Sequence, residues 1–105
     1  MLEMLITLIQ AVYFEVIGLI FIGLVKAKKT PTKENTAEFT KMVDNLNKIG
    51  IIILSMYWTL GRYDGVVIFD APTEKVAMKF AIMMAEDVRT ETMVAIPREE
   101  ALKLL

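Results

Sequence analysis

The sequence predicts an α+β domain: one four-stranded antiparallel sheet with two helices on one of its faces. Three observations lead there. β-branched and aromatic runs alternate with helix-period runs in the order strand, helix, strand, strand, helix, strand. Each helix-period run opens on threonine and proline, at Thr30-Pro31-Thr32 and at Ala71-Pro72-Thr73, where a proline early in the first turn loses no hydrogen bond. The two middle strands are joined by a short turn bracketed by Gly61 and Gly65, the mark of a β-hairpin. The 105 residues make one domain of ordinary size.

Residues 1–25 carry nineteen apolar side chains, two acids and no base, and Lys26, Lys28, Lys29 and Lys33 follow. A hydropathy window flags a membrane span from about Met4 to Val25, with the lysines at its cytoplasmic end. The polar residues favour another reading. Glu3, Thr7 and Gln10 are spaced i, i+4, i+7, one polar stripe on an amphipathic helix. From Gly18 to Lys28 the composition turns to Ile, Phe, Val and Gly and ends in the alternation Val25, Ala27 against Lys26, Lys28, which reads as a strand. Residues 1–17 are therefore expected to be a helical extension, residues 18–97 the domain and residues 98–105 a short terminal helix. A membrane anchor in residues 1–25 is the alternative. No basic start or small-residue cleavage site marks a secretory signal, so the expected location is the cytoplasm.

The first internal helix starts at Thr30-Pro31-Thr32 and carries Phe39, Met42, Val43, Leu46 and Ile49 on one side, with Gly50 at its C-terminal stop. Ile51–Thr59 is the second strand and Val66–Phe69 the third. Thr73 is the expected N-cap of the second helix, with Glu74 in its first turn and Val76, Phe80, Met83 and Met84 on its buried side. Val88–Ile96 alternates as the last strand, and Pro97 ends it. Trp58, Phe69, Phe80 and the methionines are expected in the core. This βαββαβ order is that of the ferredoxin-like fold, in which right-handed crossovers place both helices on one side of the sheet.

The composition excludes much chemistry. With no Cys and no His, disulfides, thiolate nucleophiles, imidazole bases and the commonest zinc, haem and iron–sulfur ligands are missing. A net charge of −1 argues against a nucleic-acid partner held by bulk charge. No phosphate-binding glycine loop or metal-spaced acid cluster stands out, and no cofactor is expected. Nine Lys, nine Glu and twelve Ile lean toward the usage of heat-adapted proteins.

A sheet with helices on one side should be polar on the other. Here strand two is apolar at Ile51 and Ile53 as well as at the intervening positions, and strand three at Val66 and Ile68 as well as at Val67 and Phe69. A face of that kind asks for a cover, most simply a second copy of the chain packed sheet to sheet. Ile51, Ile53, Val66 and Ile68 are thus the expected dimer contacts. Ser55, Tyr57 and Thr59 share one side of strand two, opposite Met56, Trp58 and Leu60. Their hydroxyls either orient a small ligand between the sheets or bond waters and partner backbone. Arg62 and Asp64 either grip a polar ligand at a cavity mouth or, as the favoured reading has it, Asp64 holds the turn through backbone N–H groups. Arg89 and Glu91 point to one side of the last strand, where a salt bridge between them or to a partner is expected.

The octapeptide Tyr57-Trp58-Thr59-Leu60-Gly61-Arg62-Tyr63-Asp64 resembles the signature of the GYD-domain family, named for its Gly, Tyr and Asp. Gly50, the stretch Asp70-Ala71-Pro72 and the strand Val88-Arg89-Thr90-Glu91-Thr92 agree with it. The resemblance spans roughly residues 18–105 and implies a dimeric α+β barrel, with no established activity, substrate or cofactor. Arg62 stands at a position often acidic in the family, and residues 1–17 have no counterpart there. The expected function is a non-catalytic homo-oligomeric module for assembly or for binding a small molecule. The alternative is a cofactor-free enzyme acting on a small apolar or aromatic ligand between the sheets, with Ser55, Tyr57, Thr59, Arg62, Asp64 and Glu91 as candidate contacts.

Overall fold

A computed structural model of the chain describes Leu2, Met4, Leu5 and residues 19–105. The three isolated residues are helical and exposed; the rest of the expected N-terminal extension lies outside the described residues. The elements run β1 (Leu19–Ala27), α1 (Lys33–Leu46), a 3₁₀ turn (Asn47–Ile49), β2 (Ile52–Trp58), β3 (Gly65–Ala71), α2 (Glu74–Met84), β4 (Val88–Ala95) and α3 (Arg98–Leu102). This is the predicted βαββαβ order. The strands form one antiparallel sheet in the order β2-β3-β1-β4, with β1 and β3 central and β2 and β4 at the edges. Leu19–Val25 lies in a central strand, so the membrane window drawn from Met4 to Val25 loses its last third. No helix among the described residues is long and apolar enough to cross a membrane.

Local sequence explains the helix boundaries. Thr32 Oγ1 accepts the N–H of Asn35 at 3.1 Å, and Thr73 Oγ1 that of Val76 at 3.3 Å, so both helices start on a hydroxyl cap. The helical period expected through Ile49 is α-helical to Leu46 and then tightens into the 3₁₀ turn. Gly50 stops it at φ 90°, a left-handed conformation that other residues rarely adopt.

Paired residues across an antiparallel ladder share a face. Phe21 pairs with Phe69, and Gly23 with Val67, and all four are buried. This face takes Leu46 from α1 and Ala77 and Phe80 from α2, with Phe39, Met42, Val43, Val76 and Met84 packed around them. Phe69 is its centre. Its ring stacks on Phe21 at 5.4 Å and meets Phe80 edge-on at 5.0 Å, arrangements that add to burial.

Two core expectations are corrected. Trp58 is 78% exposed and Met83 42% exposed. Trp58 lies at the end of edge strand β2, opposite Gly65, which offers no side chain to pack against. Met56, Met78 and Met93 are also exposed, while Met42 and Met84 pack on the core.

Ile51 and Ile53 are corrected as well. Ile51 is fully buried, and Ile53 pairs with Phe69 and packs against the core. Both therefore lie on the helix side rather than at an interface. The cause is an irregularity in the β2–β3 ladder: Ile53 pairs with Phe69, but the next pair is Ser55 with Ile68. One extra residue, Leu54, is accommodated as in a β-bulge, and alternation is inverted across it. Ile53 and Ser55 thus lie on opposite faces, although simple alternation puts them together.

Candidate functional site

The far face of the sheet, opposite α1 and α2, is read from the ladders. Across β2, β3, β1 and β4 its rows are Ile52, Asp70, Ile20 and Ala95; then Ser55, Ile68, Ile22 and Met93; then Tyr57, Val66, Leu24 and Glu91. A final pair, Lys26 and Arg89, closes the end next to the β2–β3 loop. The face therefore grades from apolar to charged along the strands. Ser55 and Tyr57 lie on it as expected, beside Val66 and Ile68.

The charged end is built around the loop Thr59–Asp64. Gly61, at φ 100°, supplies a left-handed step. Thr59 closes the loop twice: its N–H donates to the carbonyl of Asp64 at 2.9 Å and its hydroxyl to the carbonyl of Tyr63 at 2.8 Å. Asp64 then fastens the loop to β1. Its N–H donates to the Val25 carbonyl at 2.8 Å, and its Oδ2 accepts the Ala27 N–H at 2.8 Å with Lys26 Nζ at 3.7 Å. The acceptor role foreseen for Asp64 is present, but the N–H it takes belongs to the neighbouring strand rather than to the turn.

Tyr63 reaches one strand further. Its hydroxyl donates to Oε2 of Glu91 on β4 at 2.7 Å. That bond to a carboxylate stabilises the neutral phenol and raises the Tyr63 pKa above its usual value. Partial desolvation and the Glu91 charge push the same way, against the opposing pull of Arg62. The Arg62 guanidinium lies 5.5 Å from the centre of the Tyr63 ring, within cation–π range. Glu91 is thus engaged by Tyr63, and among the described residues it forms no salt bridge with Arg89. The ion pairs present there are Lys26 with Asp64 and Lys103 with Glu100.

Six residues were expected to line one site. Ser55 and Tyr57 lie on the far face, Glu91 and Asp64 at its charged end, and Arg62 on the exposed loop, while the Thr59 hydroxyl is spent inside the loop. Sequence reasoning passed over three groups. The Tyr63 hydroxyl carries no signal of its own in the sequence, because its partner lies 28 residues away. Lys26 and Arg89 become a cross-strand pair only once the β1–β4 register is known. Asp70, 2% exposed, has an Oδ1 with no hydrogen-bond partner among the described residues. Alternation along β3 places it on the far face, as the ladders do, but nothing in the sequence marks it as buried. Among the described residues no cluster of acidic side chains is arranged to hold a metal ion.

The GYD domain family model matches residues 24–105, from within β1 to the last residue. The chain belongs to the GYD domain family. The residues Gly61, Tyr63 and Asp64 are, in this member, the loop that ties β2 and β3 to β1 and β4. No curated protein matches the chain.

Proposed function

We infer that this GYD domain is a non-catalytic module that pairs with a second copy of itself through the far face of the sheet. One observation carries the reading. Ile20, Ile22, Leu24, Val66, Ile68 and Met93 form a continuous apolar field there, and Ile52, Tyr57 and Met93 remain 37%, 59% and 46% exposed. A large apolar patch of this kind marks an interaction surface, and two sheets packed face to face would cover both copies at once. Val66 and Ile68 keep the contact role expected of them, while Ile52 and Tyr57 take the places of Ile51 and Ile53.

Sedimentation equilibrium tests the pairing. The expected mass at micromolar concentration is at least twice the 11.9 kDa of one chain, and a stable monomer rejects the reading.

A further inference from the structure

The charged end of the far face points to a ligand class. Lys26 and Arg89 are directly opposed across β1 and β4, and like charges so placed repel. Among the described residues only one of them has an ion-pair partner. Lys26 has Asp64 at 3.7 Å. Lys28, nearby, donates its ammonium to the Ala85 carbonyl at the end of α2. Arg89 has no carboxylate partner among the described residues, and Glu91, two positions along the same side, has Oε2 taken by Tyr63. An open groove of about 360 Å³ lies here, lined by Lys26, Ala27, Lys28 and Arg89.

We propose that this end of the far face binds the head of an apolar carboxylic acid, whose tail lies along Leu24, Val66, Ile22, Ile68 and Met93. The charge count selects the head. One guanidinium outside the ion pairs of the described residues suits a singly charged group, and its planar fork matches a carboxylate with two parallel hydrogen bonds. The face selects the tail, since the rows that follow the cation pair are apolar on β3 and β1. Two rows, each two residues deep, extend about 13 Å along the strands, the reach of a chain of roughly ten carbons. The proposal deepens the paired-sheet reading, in which the second copy roofs the tail. The cation pair itself belongs to one chain.

Titration calorimetry of the full chain with decanoate, against decanol as the uncharged probe of equal length, tests it. Decanoate is expected to bind saturably and at least tenfold more tightly than decanol. Arg89→Gln should remove that preference while leaving decanol binding unchanged, and Lys26→Gln should reduce it. Thermal unfolding of both variants confirms that they fold. Equal binding of the two probes, an Arg89→Gln variant that keeps the preference, or tighter binding of decyl phosphate than of decanoate each overturns the proposal. Sedimentation in parallel separates the two readings. A monomer that shows the Arg89-dependent preference supports the site and rejects the pairing; a dimer that lacks the preference rejects the site alone.

Discussion

The two faces of the sheet differ less in composition than in what covers them. On the helix side, Phe21, Val67, Phe69 and Ile51 are sealed by Leu46, Ala77 and Phe80. On the far side, Ile22, Ile68, Val66 and Met93 are nearly as apolar, yet the buried cluster of the described residues does not include them, and their rows end against a charged loop. Apolarity in a strand therefore does not say which face is the core of the protomer. The helices decide it, and the apolar remainder is what the proposed pairing would cover.

The same substitution placed on each face should separate the two most strongly. Ile51→Lys buries an ammonium with no partner at a fully enclosed position. A cost of about 3–5 kcal/mol is expected, a large part of a small domain's total stability, and circular dichroism should show loss of the fold. Ile68→Lys should leave the secondary structure in place and lower the sedimentation mass instead. If Ile68→Lys unfolds the chain as readily as Ile51→Lys, the distinction between the faces fails.

Truncation gives a milder version of that contrast. Phe69→Ala, which removes a ring buried between Phe21 and Phe80, should cost about 3–5 kcal/mol in urea unfolding. Met93→Ala, on the far face and partly exposed, should cost under about 1 kcal/mol under dilute, dissociated conditions. At concentrations that favour assembly its effect should grow, because the partner then shares the lost contact.

The charged loop provides the next step down. Asp64→Ala leaves the Ala27 N–H without its acceptor and should cost about 1–2 kcal/mol. Asp64→Asn keeps an oxygen in place and should recover much of this. Recovery by Asn in unfolding experiments distinguishes a fastening bond from the pairing with Lys26, which Asn would not restore.

The smallest effect is the pH dependence of Tyr63. Its pKa is raised in the folded chain above the unfolded value of about 10, so the neutral phenol is favoured by folding. The stabilisation is present below pH 10 and is lost as pH rises through the folded pKa. Midpoints of thermal unfolding between about pH 9 and 11 should fall more for the parent chain than for Tyr63→Phe. Parallel profiles would remove the Glu91 bond from the account.

Much of the architecture was legible because its signals are local. Two-residue alternation marked the strands, Thr32 and Thr73 supplied caps within three residues of the N–H groups they bind, and Gly50 stood where only a left-handed residue ends the turn. The octapeptide from Tyr57 to Asp64 carried the family. Non-local geometry decided the rest. One extra residue near Leu54 moved Ile51 and Ile53 from the expected interface into the core, a shift invisible to any count of apolar residues. Chain reversal brought Tyr63 to Glu91, Asp64 to Ala27 and Lys26 to Arg89. The sequence alone determined which segments are strands and helices, because backbone conformation answers to near neighbours. Only the tertiary structure decided which face each side chain occupies and which charges meet, because both depend on ladder register between strands far apart in the chain.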